Sequence, residues 1–187
     1  MVDIAETGIG SVLQTIVPVA VLRSRATSHT AHGLAVHLVV SLAGHEVGAA
    51  DVTLATLGPG AGAAVAGRVS GPAAPSLTLA ATVRVAFWDG QPPVPVPGGT
   101  GVTLDTTHGP NGGQGGGDVT ATLSLAVIPA SVLQLTAVCR DSAGTIVGGG
   151  SQTISAPAAP GPLTVTVPVV FSRRPTACSV EGAIGAF

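Results

Sequence analysis

The chain has 187 residues and a formal net charge of −2, from nine acids and seven arginines, with no lysine and no tyrosine. Charged residues make up 9% of it, against roughly 25% in ordinary soluble domains. That shortage excludes a basic nucleic-acid groove, a lysine-dependent phosphate loop and strong electrostatic steering. Apolar residues reach 45%, too many for a disordered chain, and the length supports one sizeable domain or two small ones. Lys, Asn, Tyr, Phe and Ile have AT-rich codons, so part of the bias reads as the imprint of a GC-rich genome. Such genomes still supply Asp, Glu and Arg, so the lack of charge keeps a physical message.

In chain order, Met1-Val2-Asp3-Ile4-Ala5-Glu6 carries no basic segment. The first apolar run, Ile16 to Leu22, is seven residues long and interrupted by Pro18. This pattern predicts no secretory signal and no membrane span, hence synthesis in the cytoplasm. Residues 11–22 read as a strand that Pro18 places at an edge or bends. Strict alternation marks 34–43, from Leu34 to Leu42, followed by strands over 50–57 and 63–69. The clearest pattern is 76–88: Leu77, Leu79, Ala81, Val83, Val85 and Phe87 share one face, and Thr78, Ala80, Thr82, Arg84, Ala86 and Trp88 the other. Asp89-Gly90 reads as a turn that ends it.

Residues 89–117 break the pattern. Pro92-Pro93-Val94-Pro95-Val96-Pro97 favours extended polyproline geometry, and Gly109 to Gly117 holds six glycines in nine residues. A short strand, 101–106, sits inside this segment. Further strands are expected at 118–128, 132–140, 144–155 and 162–171, with Asp141-Ser142-Ala143-Gly144 as a hairpin turn. In the last strand Leu163, Val165, Val167, Val169 and Phe171 point one way, Thr164 and Thr166 the other. These elements predict an all-β chain: an antiparallel β-sandwich, jelly-roll or immunoglobulin-like, of about ten strands with little or no helix. It reads as one domain over 1–187 with a long Pro/Gly-rich loop at 89–117; the alternative is two small immunoglobulin-like domains, 1–97 and 118–187.

Few residues offer chemistry. His29, His32 and His45, with an acid, are the candidate metal ligands should their loops converge; His37 falls on an outward strand face. Gly112 to Asp118 lacks the repetition of Gly-rich calcium turns. No G-x-S-x-G elbow is present: Ser151 follows Gly148-Gly149-Gly150 in a strand, and Asp105 and His108 are close in sequence beside a Gly-rich loop, a poor scaffold for preorganised chemistry. Paired carboxylates are absent because the acids are scattered. Cys139 and Cys178 are the two cysteines; a disulfide between them would pin the tail to the sheet, whereas a reducing compartment would keep both as thiols. Arg23, Arg25, Arg68, Arg173 and Arg174 lack interleaved aromatics for base stacking. One Trp and three Phe cannot furnish the girdles of an outer-membrane barrel, even though the chain ends in Phe187.

The expectation is therefore no enzyme, no cofactor, no nucleic-acid partner and no membrane span. Outward strand positions are Thr, Ser, Gln, Ala and Val rather than the Lys, Glu and Asp that normally guard a sandwich. This predicts a structural protein whose partners are other protein subunits, as a homo-oligomer or on a larger scaffold. Examples are a decoration, capsid-associated or tail component of a phage virion, or another extracellular assembly reached without a signal peptide. The alternatives are a surface or exported immunoglobulin-like binding module using loops 44–50, 89–101 and 107–118, and a small-molecule- or metal-binding sandwich built on the loop histidines.

Overall fold

A computed structural model describes residues 1–93, 96–106, 115–125 and 132–185. Among these the chain is all-β, with thirteen strands, more than the ten or so expected, and every pairing is antiparallel. Among the described residues no helix is long and apolar enough to cross a membrane.

The strands form three sheets. The first joins β1 (Val2–Val12), β2 (Thr15–Ser24) and β5 (Gly62–Ala66), with the short β6 (Val69–Ser70) also on β2. The second has the order β4 (His45–Leu57), β3 (Thr30–Leu42), β7 (Leu77–Asp89). The third is built from the C-terminal half: β13 (Ala177–Ile184), β10 (Val132–Arg140), β11 (Ile146–Ser155), β12 (Gly161–Phe171), β9 (Gly115–Leu125) and β8 (Thr100–Asp105).

The first sheet is a middle layer. On one face Val2, Ala20, Leu22, Ala63 and Val65 pack on Leu34, Val36 and Leu38 of the second sheet. On its other face Val17, Val19, Ala64 and Ala66 meet Val138, Ile146 and Val170 of the third. A strand covered on both faces cannot alternate, which is why Ile16 to Leu22 reads as a continuous apolar run. Ile16, Val17, Val19, Ala20 and Leu22 are each 4% exposed or less. The two chain halves share no sheet, but through this layer they share a core.

Pro18 is not at a sheet edge, one of the two placements its sequence suggested. β2 lies between β1 on one side and β5 and β6 on the other. It pairs with β5 through Val19–Arg23 and with β6 through Thr15 and Ile16. Pro18 thus faces the gap between those two strands, where no ladder needs its missing N–H. Its carbonyl still accepts the Gly67 N–H at 3.0 Å.

The third sheet curls on itself. One face supplies Val119, Ala121, Leu123, Leu135, Ala137, Cys139, Val165, Val167, Val169, Phe171 and Val180, a cluster with no member from the other sheets. A single sheet face can fill its own core only by rolling up. Its two edges meet accordingly: the Gly99 N–H, just before β8, donates to Val180 O of β13 at 2.8 Å.

Within the third sheet, and where it meets the middle layer, glycine lets backbone approach backbone. Gly148, Gly149 and Gly150 of β11 are buried. A Cβ on Gly149 would lie 2.3 Å from Ala137 O and 2.9 Å from Val19 Cγ2, and one on Gly150 1.9 Å from Pro168 O. On the facing strand, a Cβ on Gly10 would lie 2.0 Å from Val170 O.

Turn chemistry agrees with the sequence at 141–144, in part at 89–90, and departs from it at the β1–β2 hairpin. Asp141 Oδ1 accepts the Ala143 and Thr145 N–H groups at 3.0 and 2.9 Å, and Gly144 takes φ +80°. At 89–90 the strand ends as expected, at Asp89, whose Oδ1 accepts the Gln91 N–H at 2.9 Å, but Gly90 takes no positive φ. The β1–β2 hairpin turns on Leu13 (φ +53°) and Gln14, with no glycine.

Candidate functional site

The three candidate metal ligands do not converge. His45 opens β4 opposite Leu42, whereas His32 lies ten residues back along β3, roughly 33 Å at strand rise. Among the described residues no group of three or more His, Cys, Asp or Glu could hold a metal ion. His37, on the outward face, donates from Nδ1 to Asp51 Oδ1 at 2.7 Å. His29 shares a 2.9 Å hydrogen bond with its neighbour Ser28.

His32 has the most constrained setting. Its ring lies flat on Phe87, 4.7 Å between centroids with 1° between planes, because β3 and β7 put the two directly opposite each other. Its Nε2–H donates to Asp89 Oδ1 at 2.9 Å, and the Gln91 N–H donates to the same oxygen at 2.9 Å. These two bonds, the Gln91 amide first, hold the Asp89 carboxyl below the usual carboxylate range. Thr30 Oγ1 donates to Gln91 O at 2.6 Å and closes the corner. The sequence placed His32 among loop histidines; the Phe87 and Asp89 partners were legible only once β3 and β7 were paired.

The arrangement fixes an imidazole without giving it a nucleophile. It makes a stacked, hydrogen-bonded corner at the end of an edge strand, beside exposed Phe87 (57%) and Trp88 (36%). Because the folded-state carboxyl of Asp89 is depressed, its contribution to stability is present above its unfolded value of about 4 and fades as pH falls through the lower folded value. Asp89→Asn should therefore be less stable than wild type at neutral pH, and the difference should close in acid. Chemical denaturation at stepped pH values checks this; a gap that persists unchanged at the lowest pH would contradict it.

The other expected groups are dispersed. Ser151 Oγ donates to Ala66 O at 3.0 Å and so is tied to the middle layer rather than to a base. His108, the glycines at 109–114, the positions 126–128 and Phe187 lie outside the described residues. Arg25 pairs with Asp3, Arg140 with Glu6 and Arg173 with Asp141, which spreads cations over the molecule instead of lining a groove. Cys139 and Cys178 are directly opposed across β10 and β13, with Cα atoms 4.1 Å apart, and their Sγ atoms are bonded.

What remains is surface of unusual chemistry. On β9 and β12, Thr120 and Thr122 stand opposite Thr166 and Thr164. The Thr120 and Thr166 hydroxyls are 3.2 Å apart, and Thr100 Oγ1 donates to Thr122 O. On the outer face of the second sheet Ala35, Ala49, Thr53, Thr78, Ala80, Thr82 and Ala86 are exposed, with His37, Glu46, Asp51 and Arg84 as the titrating groups among them. The sequence matches no protein-family model and no curated protein.

Proposed function

We propose that this is a non-enzymatic structural protein that assembles with other protein subunits, as a homo-oligomer or on a larger scaffold. One observation carries the reading: the outward strand faces are ordered, polar and nearly free of charge, presenting hydroxyls and methyls where an isolated sandwich presents lysine and glutamate. Such faces lose little on desolvation when a matching surface covers them, because few charges must be stripped of water. A net charge of only −2 also leaves little of the repulsion that keeps copies apart. A virion or comparable extracellular shell is the setting we propose, in keeping with the GC-rich composition.

The test is mass in solution with negative-stain microscopy. The protein is expected to be larger than its 18.0 kDa chain and to show repeating particles. A strict monomer across the micromolar range would sink the reading.

A further inference from the structure

We infer that the outer edge of β7 pairs antiparallel with β7 of a second copy, about a two-fold axis through Val83. This inference rests on the assembly reading above and names its surface.

An open sheet edge offers unpaired N–H and C=O groups to any strand, so proteins guard edges with bulges, charge, brevity or cover. The other edges here are guarded. β1 has a bulge between Ile4 and Glu6 and carries Asp3 and Glu6. β4 has an irregularity opposite Val40 and Ser41, bears Glu46 and Asp51, and bridges to Gly185 through Leu54. β8 and β13 are joined through Gly99 and Val180. β5 and β6 are short, at five and two residues.

β7 is thirteen residues long, and its register with β3 shows no shift. Its other edge has no hydrogen-bonded strand neighbour among the described residues; β1 packs on the inward face of β7 through Ile4 and Ile9. Before its terminal Asp89, its one charge is Arg84.

The sequence of β7 also selects a register. Antiparallel pairing centred on Val83 uses all thirteen residues and keeps inward positions opposite inward ones. Arg84 then meets Thr82 of the second copy, Phe87 meets Leu79, and Trp88 meets Thr78. The two exposed aromatics are thereby covered by the facing strand, as buried aromatic anchors at interfaces are. Centring on Arg84 instead sets Arg84 against its own copy, a like-charge pair. Centring on Thr82 carries Trp88 past the strand, opposite Ser76. The occupant that fits this edge is a second copy of the same chain.

The register gives a test whose sign depends on charge. Thr82 is exposed, so either sign of charge is accommodated in the monomer, which equal melting temperatures would confirm. Thr82→Lys places a second cation opposite Arg84 twice per dimer and should weaken association about tenfold. Thr82→Glu makes two ion pairs and should tighten it by a similar factor. Both effects should shrink in high salt. Sedimentation reads the mass, and the single tryptophan, Trp88, should shift its emission to the blue as copies associate.

Opposite responses of the two variants support the pairing. Association that ignores the sign of charge at position 82 overturns it and leaves the assembly reading standing on another surface. A wild-type protein that stays monomeric overturns both.

Discussion

Gly150→Ala is expected to lower the melting temperature by about 10 °C or to prevent folding. The added Cβ would sit 1.9 Å from Pro168 O, 3.0 Å from Pro168 C and 3.2 Å from Val169 Cα, far inside ordinary carbon–oxygen contact. The obstacle is backbone, so no rotamer change relieves it. β12 cannot retreat either, because Val167 and Val169 anchor it in the core of the rolled third sheet. Overpacking of this kind costs about 3 kcal/mol or more, and each kcal/mol is worth about 2–4 °C in a chain of this size. Gly90→Ala is the control: nothing lies within 4 Å of its Cβ and its φ is not positive, so it should be close to neutral. Thermal unfolding of the two variants beside wild type decides the matter; equal melting temperatures would refute the close-approach account.

The second large effect is expected from the disulfide. Cys139 and Cys178 are 39 residues apart, and cross-linking a loop of that length restricts the unfolded chain by about 4 kcal/mol in the entropic account. The double variant Cys139→Ala/Cys178→Ala should unfold at correspondingly lower denaturant, and reduced wild type should match it. Cys139 is fully buried in the third-sheet core while Cys178 is partly exposed at the edge of that core. Alanine there removes a sulfur without adding a buried hydroxyl. The eight-residue ladder between β10 and β13 remains, so the reduced protein should still fold. If oxidised and reduced protein unfold at the same denaturant concentration, the bridge contributes nothing and this expectation fails.

How much of this was readable in the chain varies with the cause. The all-β class and the faces of β3, β7, β9 and β12 follow from period-two alternation, because each has one covered and one open side. β1 was missed because its hairpin turns on Leu13-Gln14, residues with no turn signature, so 11–22 read as one strand. β13 was missed because Cys178, Val180, Gly182 and Ile184 alternate with Ala177, Ser179, Glu181 and Ala183, too weak a contrast to read as a strand. Pro18 was misplaced because a gap between two short neighbours cannot be seen in sequence. The same holds for the histidines: their spacing suggested a cluster, but the long β3–β4 hairpin sends His45 to the far end. The partners of His32 depend on a strand that follows it by more than fifty residues.

The middle layer has a consequence for how the protein is made. Sheets one and two are complete once residue 89 has been synthesised, since every strand in them precedes that point. One side of the middle layer is then still bare, because its covering residues, Val138, Ile146 and Val170, come later in the chain. A growing chain therefore passes through a stage in which Val17, Val19, Ala64 and Ala66 form an apolar, uncharged platform facing water. Such a platform is a natural substrate for a holding chaperone, and the second half of the chain acts, on arrival, as its intramolecular replacement.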